Sequence, residues 1–136
     1  MPRLLAIDYG LKRTGIAVTD NLKIIATALL MVPTSELIAF LQNYTAQEEV
    51  EAFVLGLPID LKGEDTDATP YVRRFAIQLQ KLFPDKPLHW IDERFTSKMA
   101  LDAMIRAGST KKDRRDKGNI DKISATIILQ SFMEMQ

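Results

Sequence analysis

Three acidic positions carry the chemistry open to this chain. Ile7-Asp8 closes one continuous apolar run, Leu4 to Ile7, and Ile91-Asp92-Glu93 closes another, Leu88 to Ile91. Such runs suit strands buried on both faces. If the two run parallel, their ends share one edge of the sheet, the edge where open α/β sheets build their sites. Successive strand side chains alternate faces, so only one of Asp92 and Glu93 can face the same way as Asp8. The residues alone leave that choice open. The third acid is Asp121, which heads the stripe Asp121, Ala125, Ile128 and Phe132 on the last helical stretch. Its three other members are apolar, so the stripe should lie on the sheet and turn Asp121 toward it.

Taken singly, an Asp at a strand end usually serves a turn, and one near a helix start usually serves the dipole. Convergence is what points to a site. Two unit charges ~4 Å apart cost ~4 kcal/mol at an effective dielectric of ~20, so clustered carboxylates need a cation. The chain has no Cys and one His, which leaves oxygen ligands. Oxygen ligands select Mg²⁺ or Mn²⁺ over zinc. Such metals can activate a water and stabilise the leaving oxygen of a phosphodiester.

The elements that must position these acids follow from periodicity. After Leu4–Ile7, Lys12-Arg13-Thr14-Gly15 reads as a hairpin turn and Ile16 to Thr19 as a second strand. Ile24 to Val32 is a third. Leu37, Ile38, Leu41 and Tyr44 fall at helical spacing behind a Thr34-Ser35-Glu36 cap. Ala52 to Leu57 is a second doubly apolar run, stopped by Pro58. A loop from Ile59 to Thr69 leads to a helix from Pro70, with Tyr71, Phe75, Leu79 and Leu82 on one face. After Leu88–Ile91, a helix is expected around Met99 to Met104, ended by Gly108. A basic connection, Ser109 to Gly118, precedes a final helix from about Ile120. Strands separated by helices run parallel with right-handed crossovers. The expected fold is an α/β domain: a mixed five-stranded sheet, its first strand central beside its fourth, flanked by helices.

Composition bounds the function. The 136 residues fit a single domain, residues 1–136, with 18 Lys+Arg against 18 Asp+Glu. Zero net charge gives no global pull toward nucleic acid or membrane, so any binding needs a local patch. No apolar run reaches the ~18–20 residues of a membrane span. The Met1-Pro2-Arg3-Leu4 start lacks the features of a signal peptide. A cytoplasmic protein is expected.

At the acids the sequence resembles the YqgF family, small bacterial nucleases of the RNase H-like superfamily. The likeness rests on Ala6-Ile7-Asp8-Tyr9-Gly10-Leu11-Lys12-Arg13-Thr14-Gly15-Ile16-Ala17 and Val54-Leu55-Gly56-Leu57-Pro58. It continues through Asp92-Glu93-Arg94-Phe95-Thr96-Ser97 and Ile120-Asp121-Lys122-Ile123-Ser124-Ala125. The four motifs stand in order across nearly the whole chain. The resemblance implies an RNase H-like fold of strand order 3-2-1-4-5 with strand 2 antiparallel. It implies Asp8, Glu93 and Asp121 as the catalytic and metal-binding set. It implies metal-dependent cleavage of nucleic acid, either in 5′-end maturation of pre-16S rRNA or in resolving Holliday junctions. Better-known junction resolvases carry a further acid one turn before the last, where this chain has Gly118.

Arg13 belongs to the family motif and is a candidate phosphate contact. Lys111, Lys112, Arg114, Arg115 and Lys117, with two intervening acids, form a candidate nucleic-acid arm beside Asp121. Arg73 and Arg74 are expected to be exposed and supporting. His89 and Trp90, inside a strand run, read as structural, with Trp90 packed in or beside the core. Pre-rRNA is the favoured partner, branched DNA the alternative. A resolvase would need two sites and hence a homodimer. A non-catalytic nucleic-acid-binding or transcription-associated factor is the third reading. An actin-like nucleotide site at Asp8-Tyr9-Gly10 would need two related domains, and the chain offers one.

Overall fold

The computed structural model describes residues 2–20, 26–58, 62–92 and the helix 117–134, with that helix's side chains described from Ala125 to Met133. In chain order the elements are β1 (Arg3–Asp8), β2 (Arg13–Thr19), β3 (Ala26–Pro33), a 3₁₀ turn (Thr34–Glu36) and α1 (Leu37–Gln47). Then come β4 (Val50–Leu57), α2 (Thr69–Leu82), β5 (Leu88–Asp92) and α3 (Lys117–Glu134). The five strands lie in the order β3-β2-β1-β4-β5. β1 and β2, and β2 and β3, pair antiparallel; β1 and β4, and β4 and β5, pair parallel. This is the expected RNase H-like order.

The apolar runs explain the sheet's centre. Leu4 to Ile7 of β1 and Ala52 to Leu55 of β4 are buried without interruption, as strands covered on both faces must be. The pleat sorts their side chains into two cores. Leu5, Ile7, Phe53 and Leu55 meet Leu37 and Leu41 of α1 and Val72, Phe75 and Leu79 of α2. Leu4, Ala6, Ala52 and Val54 meet Ala125, Ile128, Leu129 and Phe132 of α3. Ala6 and Ala17 keep the second face shallow, so α3 can lie close to the sheet.

Four local expectations change. β2 begins at Arg13, so Arg13 is the first strand residue, opposite Pro33, and the hairpin loop shrinks to residues 9–12. A buried Thr14 is tolerated in the strand because its hydroxyl finds partners. The buried stripe of α2 is Val72, Phe75, Ala76 and Leu79, whereas Tyr71 and Leu82 are exposed. The Arg74 guanidinium sits 4.9 Å over the Tyr71 ring, which gives that face a use in solvent. α3 starts at Lys117, three residues before Ile120, so Gly118 is helical and Asp121 falls in the second turn. The segment Thr34-Ser35-Glu36 forms a 3₁₀ turn and makes no side-chain cap on α1. Ile24 and the helix expected near Met99 lie outside the described residues.

Candidate active site

Asp8 stands at the carboxyl end of the central strand, half-buried, opposite Gly15 of β2. Ala6, two residues back, faces α3, so the pleat turns Asp8 to that same face. The parallel register Ile7–Leu55 and Leu57–Asp92 brings the ends of β1, β4 and β5 to one edge. A cleft of about 500 Å³ opens there, lined by residues 8–13 and by Ala68 at the start of α2. Its wall is polar and cationic where Lys12 and Arg13 lie beside Asp8. A carboxylate with two cations in an open cleft can hold a hard metal and a phosphodiester together.

The loop between Asp8 and Arg13 is tied down on two sides. Gly10 N–H donates to Thr14 Oγ1 at 3.4 Å, and the Thr34 hydroxyl donates to the Gly10 carbonyl at 2.5 Å. The two threonine oxygens lie 2.9 Å apart, and Thr34 N–H donates to the Lys12 carbonyl at 3.0 Å. On the other side the Tyr9 ring stacks on Phe75 of α2. The opposite wall is stitched by Thr69, whose hydroxyl donates to the Pro58 carbonyl and receives the Thr66 N–H at 2.8 Å. Sequence reasoning missed Tyr9, Thr14 and Thr34. The available signal was a threonine inside an apolar strand and a second one just past its partner strand.

Asp92 closes β5 and is exposed. His89 lies against Phe132 of α3, and Ile91 is buried in the same core. Alternation therefore puts Asp92 on the α2 face, opposite Asp8. Trp90 shares that α2 face. It is 40% exposed in a groove with Leu57, Arg73 and Ile77, rather than packed in the core. Arg73 is exposed and paired to Asp65 at 3.0 Å. The structure thus puts Asp8 and Arg13 on the wall of one cleft. Glu93, Lys111, Lys112, Arg114 and Arg115 lie outside the described residues, as do the side chains of Lys117 and Asp121. Among the described residues no three His, Asp or Glu side chains gather to hold a metal.

Known proteins resemble this chain along its whole length. A Porphyromonas gingivalis protein named "Putative pre-16S rRNA nuclease" is 52% identical over 134 residues, covering 98% of this chain and 97% of its own. A Bacteroides fragilis protein of the same name is 50% identical with the same coverage. Among solved structures, Thermus thermophilus RuvC in complex with a Holliday junction substrate superposes with a TM-score of 0.60 at 18% identity. The match covers 99% of this chain and 96% of RuvC. At that identity the likeness is one of fold, and it agrees with the strand order found here. The model of the family described as "RuvX: Holliday junction resolvase" matches residues 2–135, and the chain belongs to that family, the one its four motifs resemble.

Proposed function

We propose that this chain is a metal-dependent nuclease that hydrolyses nucleic-acid phosphodiesters, with the 5′ end of pre-16S rRNA as its substrate. The observation that carries the chemistry is Asp8, half-buried at the carboxyl edge of the central parallel strand, in a cleft it shares with Lys12 and Arg13. The rRNA assignment rests on relatives of about half-identical sequence that bear that name.

Asp8, Glu93 and Asp121 form the proposed catalytic set. Asp92 faces α2, away from Asp8, and this supports choosing Glu93 from that pair. Asp121 precedes the buried Ala125 by four residues and Ile128 by seven, the spacing of one helical face. The donor chemistry fits Mg²⁺ or Mn²⁺: carboxylate oxygens, no Cys, and a single His whose ring packs on Phe132. When bound, such an ion supplies activation of a water and stabilisation of the leaving oxygen. Arg13 holds the scissile phosphate beside Asp8. Lys111, Lys112, Arg114, Arg115 and Lys117 track the backbone further out. The whole of residues 1–136 acts as one catalytic unit in the cytoplasm. Among the described residues no helix is long and apolar enough to cross a membrane.

The second reading is a resolvase of four-way DNA, favoured by the family description and by the fold shared with RuvC. It requires two sites and hence a homodimer. The deciding experiment is cleavage of a pre-16S rRNA 5′ fragment beside a synthetic four-way junction, with Asp8→Asn as control and gel filtration of the protein used. Cleavage of the rRNA fragment alone supports the first reading, and cleavage of the junction alone by a dimer supports the second. Binding with no cleavage under any metal returns the protein to a non-catalytic binding role.

A further inference from the structure

We infer that Thr14 and Thr34 are positioning residues, closing a one-way ring of hydrogen bonds on Gly10 that sets Lys12 and Arg13 against the phosphate to be cut. The inference rests on the nuclease reading above.

The direction of the ring follows from proton count. A threonine hydroxyl has one proton to give. Thr34 gives its proton to the Gly10 carbonyl. The 2.9 Å contact between the two hydroxyls must therefore be donated by Thr14. Thr14 Oγ1 is then the acceptor for the Gly10 N–H. The circuit runs from the Gly10 amide through Thr14 and Thr34 and back to the Gly10 carbonyl. Each hydroxyl both gives and receives, an arrangement in which neighbouring bonds polarise one another.

Its placement gives it a role. Gly10 is the midpoint of the loop that joins Asp8 to Arg13, and both of its backbone polar groups are turned into the ring. Thr14 is fully buried, so water does not compete for its hydroxyl. Thr34 also fixes the Lys12 carbonyl through its own N–H. One residue at the start of the 3₁₀ turn thus holds the loop at two points. What remains for the cleft is the outward side of the loop: Leu11, Lys12 and Arg13. A serine keeps the ring, whereas a valine of nearly the same shape opens it at one place and leaves a Gly10 group unpaired.

The test is affinity for a labelled single-stranded RNA oligonucleotide and for a four-way DNA junction, measured in EDTA so that nothing is cut. Thr34→Val and Thr14→Val should each weaken the tighter-bound probe about fivefold, the scale of one lost hydrogen bond. Thr34→Ser should restore it. The double valine variant should lose less than the two single losses added together, because both hydroxyls act in one ring. Thr45→Val removes a hydroxyl that donates to the Leu41 carbonyl within α1, outside the ring, so it should leave affinity unchanged. Valine variants that bind like the unaltered protein, or a double variant whose losses add, would overturn the ring while leaving the nuclease reading intact. Unaltered protein that binds neither probe would overturn that reading, and this inference with it.

Discussion

The ring of Tyr9 stacks on the ring of Phe75 with centroids 4.8 Å apart and planes 25° from parallel. Asp8 faces α3, so the next residue turns to the other side of the sheet, where α2 lies. The stacked pair therefore ties the residue after the candidate catalytic acid to the second helix layer. Phe75→Leu keeps an apolar residue at this buried site but loses the ring pairing. The expected cost is about 0.5–1.5 kcal/mol beyond the lost area, read as a lower urea midpoint. Cleavage should fall further than stability alone explains. An unchanged midpoint and unchanged rate would show that the stack holds nothing.

Gly10 has no room for a side chain. A Cβ there would lie 2.2 Å from the Arg13 carbonyl oxygen, and that oxygen is backbone and cannot swing aside. Gly10→Ala must therefore move the loop, and with it Arg13. A loss of ~1–3 kcal/mol in stability is expected, together with weaker nucleic-acid binding. A folded Gly10→Ala protein of normal affinity would mean that the loop's position is immaterial to binding.

Much of the fold is legible in the residues, for reasons that differ by element. Doubly buried strands leave unbroken apolar runs, so β1 and β4 can be read directly; β5 is an outer strand with only Ile91 buried, so its apolar run marks a strand but overstates its burial. Helical phase is harder. Tyr71 and Leu82 are apolar enough to look inward, but the buried stripe of α2 passes through Val72, Phe75, Ala76 and Leu79. The threonine clasp is hidden because Thr34 reads locally as a helix cap, while its hydroxyl is spent on Gly10, far away in sequence. Face alternation says that only one of Asp92 and Glu93 joins Asp8. The buried Ile91 fixes the phase of β5 and turns Asp92 to the α2 face, which no pattern in the residues foretold.

Asp8→Asn keeps size and shape and removes one formal charge. Changes in the outer shell of a metal site cost about 10–100-fold in activity, so loss of a direct carboxylate should exceed about 100-fold. Nucleic-acid binding should survive or tighten, since a repulsive charge beside the phosphate is gone. An Asp8→Asn protein that cleaves within a few-fold of the unaltered one would remove Asp8 from the catalytic set.

Activity should need Mg²⁺ or Mn²⁺, with Ca²⁺ a poor substitute. Mg²⁺ enforces near-octahedral coordination at ~2.0–2.1 Å, whereas Ca²⁺ accepts larger and looser shells that place reacting oxygens less well. Cleavage measured against each ion, and in EDTA, decides the matter. Undiminished cleavage in EDTA would contradict the proposed chemistry.

Chemistry and binding should separate when the basic run is neutralised. Replacing Lys111, Lys112, Arg114, Arg115 and Lys117 by Gln keeps Asp8, Lys12 and Arg13 in place on the cleft wall. Binding should weaken, and the slope of log affinity against log salt should shrink by ~0.7 for each single-strand phosphate that the protein no longer neutralises. At saturating substrate the cleavage rate should change little, because these cations act on approach and hold rather than at the scissile bond. Arg13→Gln offers the contrast. As one cation lining the cleft with Asp8, it should alter the salt slope by no more than one phosphate's worth, yet lower the rate at saturation. Should the five-fold variant keep both its affinity and its salt slope, the run between Ser109 and Gly118 is a solvated connection and takes no part in recognition.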